Sequence, residues 1–160
     1  MTSSTTRGAL PHPRERVAAE LRPGLAGTLA AHLPPGPITV EQVRALDRRL
    51  AGWIALDDVE TTTVPRDDGS ELELRIHRSG SSDGAVLWLH GGGMFLGAAW
   101  CDDVRSRELA DEVGATVVVP DYRLAPEHPH PAPLEDCLRA LEWTAERFER
   151  VVVAGASAGG

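Results

Sequence analysis

Three short apolar runs constrain this chain more than anything else in it: Ala85-Val86-Leu87-Trp88-Leu89, Ala115-Thr116-Val117-Val118-Val119 and Val151-Val152-Val153-Ala154. Apolar at nearly every position rather than every second one, they read as strands buried on both faces of a parallel sheet. Helical texture lies between them. Asp102 or Asp103 is placed to cap the first helix, with Ser106, Leu109, Ala110 and Val113 inward and Gly114 as its C-terminal stop. The second carries Leu134, Leu138, Leu141, Ala145 and Phe148 at helical spacing. Two successive β-α-β units with short connections predict an α/β sheet with right-handed crossovers.

Upstream the texture changes. Val59–Val64 and Leu72–His77 flank a loop over 65–70 whose Asp68-Gly69 signals a turn. Leu72, Leu74 and Ile76 alternate with Glu71, Glu73 and Arg75, which predicts an antiparallel strand with one wet face. Residues 1–10 read as disordered. A helical pattern starts at Pro13, with Val17 and Leu21 one turn apart, and breaks at Pro23-Gly24; a second apolar stretch, Leu25–Leu33, stops at Pro34. Thr39 then offers an N-cap with Gln42 three residues on, a capping box that Ile38 and Val43 are placed to staple. Val43, Leu46 and Leu50 share one face of that helix. Helices that precede every strand predict an appendage over residues 1–56 rather than a layer on the sheet, and leave 57–160 for the sheet domain.

The 160 residues can bury a real core, and 16 basic against 24 acidic residues give a net charge of −8. Every basic residue is Arg. Such a field disfavours nucleic acid, which needs clustered positive charge, and gives no help in docking to an anionic membrane. No apolar run approaches the roughly 18 residues of a bilayer span. No apolar segment follows the Ser/Thr-rich start, so a cytoplasmic location is expected. Cys101 and Cys137 stand apart, in neither a disulfide framework nor a metal-binding pattern, and no metal or cofactor is expected.

The last apolar run leads directly into Gly155-Ala156-Ser157-Ala158-Gly159-Gly160, a G-x-S-x-G that follows a buried strand. A turn this tight strains the backbone at the serine, and a side chain at Gly155 or Gly159 would strike a neighbouring element. The hydroxyl then stands at the carboxyl end of the sheet, where open α/β folds bind ligands. Alone, the motif equally describes a glycine-rich strand-to-helix turn. The third strand, however, ends in His90-Gly91-Gly92-Gly93, from which backbone N–H groups can meet the charge that acyl transfer builds on a carbonyl oxygen. Read as a phosphate loop, this run lacks both the G-x-G-x-x-G spacing and a G-K-[ST] ending. After the fourth strand comes Asp121-Tyr122-Arg123-Leu124-Ala125-Pro126-Glu127-His128-Pro129, a proline-stiffened, charged loop beside the same rim.

In this order and spacing, the HGGG, DYRLAPEHP and GxSAGG blocks closely resemble the hormone-sensitive lipase family of esterases and lipases, over roughly Asp57–Gly160. The resemblance implies the N-terminal half of an α/β-hydrolase sheet: antiparallel first strands, then parallel strands with crossover helices, ending at the nucleophile elbow. The helices within 1–56 resemble that family's cap region. It further implies Ser157 as nucleophile and the N–H groups of Gly91, Gly92 and Ala158 as the oxyanion hole. His90, Gly93, Asp121, Tyr122, Arg123, Glu127, Gly155 and Gly159 would support the site. Many members carry Asp before the serine, where this chain has Ala156.

The implied activity is hydrolysis of a small ester through an acyl-enzyme, without a cofactor. A catalytically dead, ligand-binding or receptor-like relative is the alternative. In this fold the acid and then the histidine base follow the nucleophile in the chain, and only three residues follow Ser157. Of the six histidines, His12 and His32 fall in the appendage and His77 on a strand remote from the elbow. His128 and His130 read as ordered loop residues without metal-ligand spacing. The expectation is therefore a fragment of a longer product, aggregation-prone and inactive alone, with its last strand an apolar edge.

Overall fold

The computed structural model describes Pro37, Thr39–Ala51, Ala55–Gly80 and Asp83–Gly160. The expected disorder over 1–10, the helical stretches before Pro34 and the Ile38 staple lie outside these residues. So do the side chains of Leu46 and Leu50.

Five strands form one mixed sheet: β1 (Glu60–Pro65), β2 (Glu71–His77), β3 (Gly84–Leu89), β4 (Thr116–Pro120) and β5 (Arg150–Gly155), in the order β1-β2-β4-β3-β5. β2 pairs antiparallel with β1 and β4, whereas β3 pairs parallel with β4 and β5. Each strand begins and ends within about one residue of its expected bounds, because β-branched runs and turn residues mark them clearly. The β1–β2 turn closes through Gly69, in a left-handed conformation at φ 82°, with the Gly69 N–H donating to the Arg66 carbonyl.

Among the described residues, three α-helices accompany the sheet: α1 (Val40–Ala51), α2 (Asp103–Val113) and α3 (Ala132–Ala145). β4 and β5 lie on opposite sides of β3, so right-handed crossovers send α2 and α3 to opposite faces. The core divides accordingly. Leu72, Leu74, Leu87, Val118 and Ala140 pack on the α3 side, and Trp88, Val117, Val119 and Ala110 on the α2 side. Adjacent valines of β4 thus serve different layers, which explains why that strand has no polar alternate: all five of its residues are buried. β5 is the edge, where Val152 and Val153 remain 60% and 51% exposed.

The reading of the helices needs three corrections. Val113 is exposed rather than inward, in the last turn of α2 before Gly114 closes the helix in the left-handed region. Leu134 and Leu138 are half exposed; the stripe facing the sheet is instead Pro133, Asp136, Ala140 and Thr144. Polar groups occupy that stripe because each has a partner, Thr144 Oγ1 donating to the Ala140 carbonyl at 2.7 Å and Asp136 binding two arginines. Asp102 holds the N-cap position of α2, but its side chain makes no cap hydrogen bond, and Asp103 is the first helical residue. Asp102 accepts the Trp88 indole N–H at 2.7 Å, and Asp103, fully buried, takes the Arg75 guanidinium at 2.6 and 2.8 Å and the Leu56 N–H at 3.0 Å.

The capping box of α1 is present as a reciprocal pair. The Thr39 N–H donates to Gln42 Oε1 at 3.0 Å and the Gln42 N–H to Thr39 Oγ1 at 3.3 Å. Thr39–Gly160 cluster as one unit, so this helix groups with the sheet. No helix among the described residues is long and apolar enough to cross a membrane.

Candidate active site

β5 runs into Ala156 in extended conformation and then into Ser157 at φ 52°, in the left-handed region that costs a non-glycine residue of order 1–3 kcal/mol. A short 3-10 turn, Ser157–Gly159, follows. Close approach to β3 explains both flanking glycines. A Cβ on Gly155 would lie 2.2 Å from the Gly159 carbonyl oxygen and 2.7 Å from that of Leu89; one on Gly159 would lie 2.2 Å from the Leu89 oxygen. All these obstacles are backbone and cannot rotate away. The Ala156 N–H donates to the same Leu89 carbonyl at 3.0 Å.

Two residues beyond Leu89, Gly91 meets the elbow. A Cβ there would stand 3.2 Å from the Ala156 oxygen and 3.6 Å from Ser157 Cβ. Gly92, at φ 123°, folds so tightly that a Cβ would overlap the Leu96 carbonyl; its own carbonyl accepts the N–H groups of Phe95 and Leu96 at 3.2 and 2.8 Å. Gly93 and Met94 continue the turn, both with positive φ. Among the described residues, the N–H groups of Gly91, Gly92 and Ala158 find no backbone acceptor. The chain therefore brings a strained serine and the glycine-loop backbone to adjoining strand ends.

His90 is buried, and its Nδ1 lies 2.8 Å from the Gly91 carbonyl, a hydrogen bond in the tautomer that carries the proton on Nδ1. Its ring stacks on Tyr122, whose hydroxyl donates to the His90 carbonyl at 2.6 Å. Burial pushes the Tyr122 phenol well above its ordinary pKa, which keeps it a donor. Asp121 Oδ1 accepts the Ala99 N–H at 2.9 Å, anchoring the start of the rim loop to the segment before α2.

Arg123 and Glu127 find partners that local sequence does not announce. The Arg123 guanidinium and backbone N–H both bind Asp136, at 2.8 Å for each of the shortest contacts, and Arg66 Nε reaches the same carboxylate at 2.9 Å. Burial alone would raise the Asp136 pKa, but the bonds from Arg123 and Arg66 outweigh it and hold the carboxyl below its ordinary range. Glu127 receives a bidentate fork from Arg44 of α1 at 2.6 and 2.9 Å, which lowers its pKa. Asp136 carries one faint signal, a carboxylate i+4 before Ala140 in a stripe of small residues; Arg44 carries none.

An apolar cavity of about 280 Å³ adjoins the elbow, lined by Leu89, Met94, Tyr122, His130, Cys137 and Ala158 among others. Burial first, and Asp136 second, push the Cys137 thiol up to about 11, so it stays protonated and apolar in that wall. His77 is buried on β2 beside Asp103, while His128 sits in the rim loop with its N–H on the Leu124 carbonyl.

A family model described as the alpha/beta hydrolase fold matches residues 86–160. Esterase LipI of Mycobacterium tuberculosis is 46% identical over 82 residues, covering 47% of this chain and 26% of that protein. Hormone-sensitive lipase of Bos taurus is 34% identical over 140 residues, covering 81% of this chain and 18% of that protein. Among solved structures, a hyperthermophilic esterase from the archaeon Pyrobaculum calidifontis superposes with a TM-score of 0.75 at 32% identity, over 89% of this chain and 50% of that one. The chain spans half the length of this solved esterase and smaller shares of the two curated relatives.

Proposed function

We propose that the chain is part of a hormone-sensitive-lipase-type α/β-hydrolase and that Ser157 is the nucleophile of a carboxylic-ester hydrolase, a reading supported by the family match and the esterase and lipase relatives. The observation that carries this reading is the Ser157 backbone at φ 52°, set between Gly155 and Gly159, which pack against the Leu89 carbonyl, with Gly91 alongside. Strain of this kind persists only where surrounding structure over-determines it, as at reactive centres.

In the proposed reaction Ser157 Oγ attacks the ester carbonyl and its proton passes to a histidine base. In the chain order of the fold the acid and then the base follow the nucleophile. The N–H groups of Gly91, Gly92 and Ala158 receive the oxyanion, one such donor typically lowering the barrier by about 2.7–4 kcal/mol. Collapse expels the alcohol, which takes the proton back from the base, and water then hydrolyses the acyl-serine by the same route in reverse. His90, Gly93, Asp121, Tyr122, Arg123, Glu127, Gly155 and Gly159 hold the loops in place.

Residues 1–56 are read as the cap region and 57–160 as part of the hydrolase domain. The substrate is a small ester, nucleic acid is not a partner, and the cytoplasm is the proposed location. Relatives bearing the names esterase and lipase favour catalysis over a ligand-binding role. The test uses the protein that contains this sequence. A fluorophosphonate should label Ser157, and hydrolysis of p-nitrophenyl butyrate should vanish in Ser157→Ala. A folded protein that binds esters but does neither is a receptor-like member instead.

A further inference from the structure

Among the described side chains of α1, Arg44 reaches two loops of the same unit. Arg44 lies one turn into a helix whose start is fixed by the Thr39–Gln42 capping box, and its side chain is only 17% exposed. Nε donates to the Phe95 carbonyl at 2.7 Å, Nη1 and Nη2 grip the Glu127 carboxylate, and Nη2 also reaches the Ala125 carbonyl. Two loops are therefore held by one planar group. Phe95 belongs to the glycine loop, since its N–H donates to the Gly92 carbonyl. Ala125 and Glu127 belong to the rim loop, which has its own bond to the glycine loop, from the Ala125 N–H to the Met94 carbonyl at 2.8 Å.

A cavity of about 370 Å³, lined by Arg44, Gly97, Trp100, Leu124, Glu127 and His128, opens beside this junction. Glu127 is half exposed, and an ion pair to such a group contributes little to stability. Two of the acceptors are loop carbonyls, however, and those bonds fix geometry.

We propose that Arg44 is a positioning residue for the oxyanion loop, tying the Gly91–Gly93 turn to the rim loop so that its N–H groups stay aimed beside Ser157. The proposal rests on the reading of Gly91 and Gly92 as oxyanion donors. Lysine cannot replace the fork, because a point ammonium has no planar geometry to span a carboxylate and two carbonyls at once.

The experiment compares wild type, Arg44→Ala, Arg44→Lys and Glu127→Gln in the protein that contains this sequence. It measures p-nitrophenyl butyrate kinetics, inhibition by an alkyl boronic acid that mimics the tetrahedral adduct, and thermal midpoint. Arg44→Ala should lower kcat by about 10- to 100-fold, as expected for a misaimed donor, with KM changed less than about 3-fold. Boronate affinity should fall in step with kcat/KM. Arg44→Lys should recover part of the loss and Glu127→Gln should lose less than Arg44→Ala, because the Phe95 bond survives. Wild-type kcat and boronate affinity in Arg44→Ala would overturn the proposal; should that variant not fold, wild-type values in Arg44→Lys would do so. A wild type inert to both ester and fluorophosphonate would instead overturn the esterase reading on which it stands.

Discussion

The imidazole of His90 and the phenol ring of Tyr122 lie parallel within 5°, with centroids 4.0 Å apart, and the Tyr122 hydroxyl closes on the His90 backbone at 2.6 Å. One residue of the rim loop thereby fixes both the ring and the carbonyl of the residue that opens the glycine loop. Tyr122→Phe keeps the stack and removes only the donor, leaving a buried carbonyl without it. The expected cost is about 1–3 kcal/mol, measurable as a lowered urea midpoint with an unchanged slope.

Asp136→Asn tests the second anchor of the rim loop. The carboxylate is buried and grips Arg123 and Arg66, so breaking it should cost about 3–5 kcal/mol at neutral pH. The sign in acid follows from its depressed pKa. Its stabilising contribution is complete above the ordinary carboxylate value and disappears as pH falls through the lower folded value. Unfolding free energies measured from pH 7 down to pH 3 should therefore fall less steeply in the variant than in the wild type.

His77 should produce a pH dependence of the same sign at higher pH, from a group held neutral. Burial foremost, then Arg107 and Arg75, lower its pKa against the opposing pull of Asp103 and Asp58. A histidine that resists protonation when folded leaves the unfolded chain as the better proton binder below its ordinary value near 6.5. Stability should drop between pH 7.5 and 5.5, and His77→Leu should flatten that part of the curve in denaturant titrations.

Glycine substitutions should separate close approach from conformation. Gly159→Ala places a methyl 2.2 Å from the Leu89 carbonyl oxygen, so the elbow must move and labelling of Ser157 by a fluorophosphonate should be lost. Gly114→Ala meets nothing within 4 Å and suffers only from its φ of 62°. It should cost roughly 1 kcal/mol in stability and leave labelling intact.

The sheet was legible because strand burial is written in local composition: the valines of β4 need no distant partner to be recognised. The elbow and glycine loop were legible for a related reason, each being a short contiguous motif whose neighbours in sequence are also its neighbours in space. What failed was pairing at a distance. Asp103 looked like a helix cap because the sequence does not show Arg75 arriving from β2. Asp136 carries no clear sequence signal because Arg66 and Arg123 reach it from separate loops. Leu134 and Leu138 looked buried because helical spacing counts apolar residues and ignores a polar one that has found its partners. Arg44 was invisible altogether, its acceptors lying 51 to 83 positions away.

The Leu89 carbonyl is a reference point shared by the two halves of the site. It accepts the Ala156 N–H and sits directly beneath both elbow glycines, while its own chain continues within two residues to Gly91. Nucleophile and glycine loop are thus both measured from a single atom, as two parts machined from a common datum. When the sheet breathes or twists, the pair is carried along together, and the gap between them accumulates almost none of that error.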